Sequence, residues 1–131
     1  MATPPRTPPR ERFSVSEHQV DLAQATQALR EESGSGQHGH RQMALFRHGP
    51  ETVALYSFEP GSHLPAHTVE GPVLIQALNG RLKVQTDNTT HELAGGQLLR
   101  LSPNVSHSVE AVEASDMLLV VCVEGPNSHH T

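Results

Sequence analysis

Residues 60–84 read PGSHLPAHTVEGPVLIQALNGRLKV, and the spacing of apolar positions in this stretch decides the fold. From Val73 onward the side chains alternate, with Val73, Ile75 and Ala77 on one side and Leu74, Gln76 and Leu78 on the other. A period of two is the mark of a strand with one face turned to a core. Carried backward, the same parity adds Val69 to the inner set and places positions 63, 65, 67 and 69 on one face. With that face inside a barrel, His67 and Val69 line the interior and His63 stands nearer the mouth. Asn79-Gly80 is a turn signal, and RLKVQT after it begins the next strand.

Working outward, similar short runs appear at 43–46 (MALF), 52–58 (TVALYSF), 97–101 (QLLRL), 107–112 (HSVEAV) and 117–123 (MLLVVCV). His48-Gly49-Pro50, Pro60-Gly61, Asp87-Asn88, Gly95-Gly96 and Pro103-Asn104 separate them. Strands at this spacing with no helix between them predict an antiparallel sandwich or closed barrel. Upstream, residues 16–32 carry a weak helical stripe of Val20, Leu22, Ala23, Ala25, Ala28 and Leu29, with Ser16 or Asp21 as the cap. The expected organisation is a flexible Pro/Arg-rich tail at 1–16, a short helix and Gly/Ser/His loop at 17–40, the barrel at 41–124 and a polar tail at 125–131. The outward leucines of 73–78 call for a cover, from the helix or from a second subunit.

The chain of 131 residues has room for one domain, and with 3% aromatic content its core is built from Val, Leu, Ile and Ala. A net charge of −5, with Lys83 the single lysine, argues against nucleic acid or anionic lipid as partners. No apolar run reaches the roughly 18 residues of a membrane span. Cys122 is the single cysteine and has no internal partner, which favours a reducing, cytoplasmic setting. Its apolar neighbours predict an inert core thiol. Arg100 is expected outside the barrel.

Ten histidines are present, most of them in polar segments: His18, His38, His40, His48, His91, His129 and His130. His63, His67 and His107 lie in or beside strands instead. Imidazoles converging from two strands in an apolar interior are the start of a transition-metal site, with His67 and His107 meeting across the cavity. The apolar positions Val69, Val73, Ile75 and Ala77 surround a small-ligand pocket or else fill the barrel with side chains.

The 60–84 stretch, followed by AGGQLLRLSPNVSHSV at 94–109, resembles the paired motifs of the cupin superfamily. In the first motif Gly61, His67 and Gly80 fall on the pattern, while Val69 and Val73 stand where a second histidine and a glutamate are usual. In the second, Gly96 and His107 match, Ser102 and Asn104 flank Pro103, and Ala111 replaces an asparagine. The resemblance implies an all-β fold, an antiparallel double-stranded β-helix or jelly-roll barrel, here with one short N-terminal helix. It also implies an incomplete metal-ligand set, because cupins hold a metal with three histidines and a glutamate and only His67 and His107 survive. His63, or Glu70 through a turn, would complete it. Two functions follow. One is a binding barrel that takes a small organic ligand or a weakly held divalent zinc, iron, manganese or nickel ion. The other is a metal-dependent dioxygenase or isomerase using His67, His107 and His63. A homodimer is the assembly the resemblance suggests.

Overall fold

The structure, a computed structural model, describes residues 17–32 and 39–123. The expected tails at 1–16 and 125–131, most of the Gly/Ser/His loop and the alternative cap Ser16 lie outside the described residues. Helix α1 (Leu22–Glu31) is shorter than the sequence stripe predicts. Asp21 caps it: the backbone is extended there, and the Oδ1 atom accepts from the Gln24 amide at 3.0 Å. At the other end Glu32 returns to extended geometry and the chain leaves the helix.

Nine strands follow among the described residues: β1 (His40–His48), β2 (Glu51–Phe58), β3 (His63–His67), β4 (Val73–Asn79), β5 (Arg81–Thr86), β6 (Thr90–Ala94), β7 (Leu98–Leu101), β8 (His107–Ala111) and β9 (Ser115–Cys122). They form an antiparallel five-stranded sheet ordered β1-β2-β9-β4-β7 and a four-stranded sheet ordered β3-β8-β5-β6. The two layers bury Phe58, Val73, Ile75, Ala77, Leu82, Val84, Leu93, Leu101, Val109, Ala111 and Met117 between them. The mainly β, two-sheet architecture with one short helix is an antiparallel sandwich, as the strand spacing predicts, and the jelly roll that the cupin resemblance implies. Strand β6 had no apolar alternation to announce it; THELA is polar, and only its inward Leu93 is buried.

Chain reversal between the layers depends on glycine where β4 hands over to β5. Gly80 has φ +77°, and a Cβ there would lie 2.2 Å from Ser115 Oγ. Leaving one sheet and entering the other within a single residue requires that conformation and that clearance.

The outward face of the five-stranded sheet is covered by α1. Leu29, Leu45 and Leu55 are buried there, with Val20, Leu22, Ala25, Met43, Phe46, Val53, Leu78 and Leu118 packed around them. Leu45 belongs to this cluster, and it lies where the β1–β2 register slips between Ala44 and Phe46. On the same face Asp116 is fully buried and pairs with Arg30 of α1. Asn79 completes the cradle, donating through Nδ2 to the carboxylate at 2.5 Å and accepting from the Asp116 amide at 3.0 Å. A buried carboxylate is tolerable only when paired and hydrogen-bonded in this way.

Two expectations about single residues resolve differently. Arg100 is exposed, as expected, and pairs in register with the outward Leu74. Cys122 is not a core thiol: it is exposed at the end of β9, because the apolar run continues past the last covered position. No helix among the described residues is long and apolar enough to cross a membrane.

Candidate functional site

Strand β3 is irregular, and its irregularity builds the site. Leu64 pairs with Val109 and His67 with His107, so three steps along β3 are matched by two along β8. The extra residue is a β-bulge at Pro65–Ala66, and it reverses side-chain parity within the strand. Leu64 packs against the core, which leaves His63 on the outer face opposite Glu110. Beyond the bulge His67 faces the same way as His107. Simple alternation put His63 and His67 on one face; the bulge separates them.

His67 and His107 are therefore neighbours across adjacent strands, not partners across the cavity. Their ring centroids are 4.5 Å apart and their planes are inclined at 54°. His107 is buried at 3% exposure, whereas His67 at the end of β3 is exposed, so the pair bridges interior and rim. Each ring is held by the same device. His67 Nδ1 lies 3.1 Å from the Pro65 carbonyl and His107 Nδ1 lies 2.9 Å from the Val105 carbonyl, both two residues upstream. A carbonyl only accepts, so each Nδ1 carries a proton, and in the neutral ring Nε2 presents a lone pair. This is the orienting arrangement that metal-binding imidazoles use. Neither Nε2 has a hydrogen-bond partner among the described residues.

The turns at this end are tied together, since the Asn104 amide donates to the Val69 carbonyl at 2.8 Å. Asn104 itself has φ +67° behind Pro103, the left-handed position that a Pro-Asn turn accommodates. Val69 and Val105 are half-buried against the core beside the pair. Val73, Ile75 and Ala77 share the inner face as the alternation predicts, at 2%, 0% and 0% exposure within the packed cluster. Their side chains fill the barrel at this level.

Among the described residues no group of three or more His, Cys, Asp or Glu side chains comes together in a metal-holding arrangement. Glu70 is exposed in the β3–β4 turn and does not complete one. Two imidazoles fit a loosely held ion whose remaining positions are filled by water or ligand, not a structural centre.

A second polar group of the interior escaped the sequence reading. Tyr56, the single tyrosine, pairs in register with the buried Met117. Its ring stacks on Phe58 at 6.0 Å, and His40 lies 5.8 Å from both rings. Burial pushes its hydroxyl above the ordinary value of 10.0, because the phenolate loses hydration there. Only its place in an apolar strand run hinted at an inward ring.

No protein-family model matches the sequence, and no curated protein matches it. Solved structures match in fold. A cupin superfamily protein from Desulfitobacterium hafniense superposes with a TM-score of 0.65 at 20% identity, over 71% of this chain and 84% of that one. A conserved protein of unknown function from Streptococcus pyogenes does so with a TM-score of 0.67 at 24% identity, over 87% and 92%. An RmlC-like cupin from Shewanella frigidimarina gives 0.64 at 14% identity, over 71% and 84%. At these identities the likeness shows the fold: this chain has the cupin fold.

Proposed function

We propose that this cupin-fold chain is a binding protein that takes a small organic ligand at the His67–His107 pair, with a weakly held divalent transition ion between them. The observation that carries the reading is the matched pair of Nδ1 bonds to the Pro65 and Val105 carbonyls, which leaves two Nε2 lone pairs at one end of the barrel. Imidazole suits zinc, iron and nickel, and manganese is the harder-ligand alternative. A bound ion there polarises an oxygen of the ligand. The chain's own contribution is to fix both tautomers, to bring the rings to 4.5 Å and to set apolar Val69 and Val105 beside them. The same reading has the protein act as a cytoplasmic homodimer, with the exposed Cys122 thiol kept reduced.

The test is elemental analysis of tag-free protein prepared without chelator, beside the His67→Ala/His107→Ala variant. Metal well above background in the wild type and absent from the variant supports the reading. Thermal unfolding with added Zn(II), Ni(II), Fe(II) or Mn(II) supplies the second arm. Binding at a hundredfold excess over Kd adds about 2.7 kcal/mol to stability. Equal metal content in both proteins, together with no thermal response to any of the four ions, overturns it.

A further inference from the structure

The outer face of the four-stranded sheet holds a cavity of about 230 Å³ that runs across β3, β8, β5 and β6. Two ladder rows supply its polar lining. In one, Glu110 pairs in register with both His63 and Lys83; in the other, Gln85 pairs with both Ser108 and Thr90. Neighbouring strands are about 4.8 Å apart, so these groups form a grid of donors and acceptors across the sheet. The face is concave where the β3 bulge at Pro65–Ala66 strengthens the local twist, and Pro65 forms an apolar part of the wall.

Lys83, Gln85, Thr90, Ser108 and Glu110 make no side-chain hydrogen bond or ion pair among the described residues. Lys83 and Glu110 are register partners, yet they do not close on each other. One ammonium, one carboxylate, one amide and two hydroxyls thus keep their full bonding capacity within one small hollow. The formal charges of Lys83 and Glu110 cancel, so the hollow favours a ligand without net charge. Its volume is below the roughly 300 Å³ at which pockets for drug-sized molecules begin. A sugar hydroxyl both donates and accepts, which is what such a mixed grid can satisfy on every side.

We infer that this outer-face hollow is a second binding site, separate from the histidine pair, for a single neutral sugar residue. Lys83 and Gln85 donate to ring hydroxyls, Glu110 accepts from them, and the Pro65 ring packs on a C–H face.

Backbone amide NMR spectra of the full chain test the assignment during titration with methyl glucoside, methyl mannoside and methyl galactoside, and separately with glycine betaine. The expected result is saturable shifts of the Lys83, Gln85, Ser108 and Glu110 amides with at least one glycoside. Lys83→Met and Glu110→Gln each weaken that binding about tenfold, the worth of one charge-assisted hydrogen bond. His67→Ala/His107→Ala leaves it unchanged, which separates this site from the barrel end. The same spectra report whether each variant is folded. Three results each overturn the proposal: no glycoside moves these amides up to about 50 mM, beyond the millimolar range of weak binding; betaine alone saturates the hollow; or the shifts centre on His67 and His107 and vanish in the double variant.

Discussion

Arg30→Met isolates a charge pair that fastens α1 to the sheet. Asp116 has 0% side-chain exposure, while Arg30 keeps 52%. Removing the guanidinium leaves the carboxylate with the Asn79 Nδ2 bond at 2.5 Å and no cation. Stranding one member of a buried pair costs about 3–5 kcal/mol. Arg30 is half in solvent, so water replaces part of what it supplied, and the expected cost falls to about 2 kcal/mol. Methionine keeps the packing of the aliphatic stem, so the loss reports the charge. For a domain of this size each kcal/mol lowers Tm by about 4 °C, giving a drop of about 8 °C. The chain has no tryptophan, so urea unfolding is best followed by circular dichroism. The diagnostic is a sign reversal. Asp116→Asn destabilises the wild type, because Arg30 then loses its counter-charge. In the Arg30→Met background it stabilises by about 1 kcal/mol, because no unpaired buried charge remains. Additive effects, or an Arg30→Met protein within about 0.5 kcal/mol of wild type, refute the account.

Ile75→Ala should cost about 3–4 kcal/mol in urea unfolding, as expected for a fully buried side chain in a packed interior; a loss under about 1 kcal/mol would mean that Ile75 borders open space. Gly71→Ala should destabilise by at least about 2 kcal/mol, because its Cβ would lie 1.9 Å from the Cys122 carbonyl oxygen. A gain in stability, the usual result of Gly→Ala at an unstrained site, would contradict that contact. For Tyr56 the native state holds its proton more tightly than the unfolded chain does at 10.0. Its contribution is therefore complete below about pH 10 and is lost as pH rises through the raised folded value. Tyr56→Phe should flatten the alkaline fall in stability, and tyrosinate absorbance of the wild type, which has no other tyrosine, should titrate late.

What could be read from the chain depended on whether neighbours in sequence carried the information. The inner face of β4 was legible, since Val73, Ile75 and Ala77 obey strict alternation and are buried as read. RLKVQT was legible to the residue, because a turn brackets each end. The bulge at Pro65–Ala66 was not, because one unpaired residue leaves no trace in composition, yet it decides which side His63 and His67 face. Alternation therefore grouped two histidines that the fold divides. Asp116 was equally opaque. It sits beside an apolar run on the outward side of β9, and its burial is set by a helix far away in the chain. The cap at Asp21 and the inward ring of Tyr56 were within reach of local rules; the partners that complete the Asp116 cradle were not.

The Arg30–Asp116 contact joins positions 86 residues apart. During synthesis α1 emerges before the described strands, but the acid it grips belongs to β9, and so does Leu118, one of the apolar side chains packed around Leu29. The helix can meet Leu45 and Leu55 of the first hairpin early, but its docking is complete only once β9 has been made. Until then Leu29 and the outward side of the first hairpin lack part of their cover. Closure of so distant a contact makes folding slow relative to local helix formation, and that interval is when the nascent chain is most prone to aggregate. Any shortening of the chain that removes β9 would leave the helix with a cation and no acid, and would hold the protein in that early, sticky state.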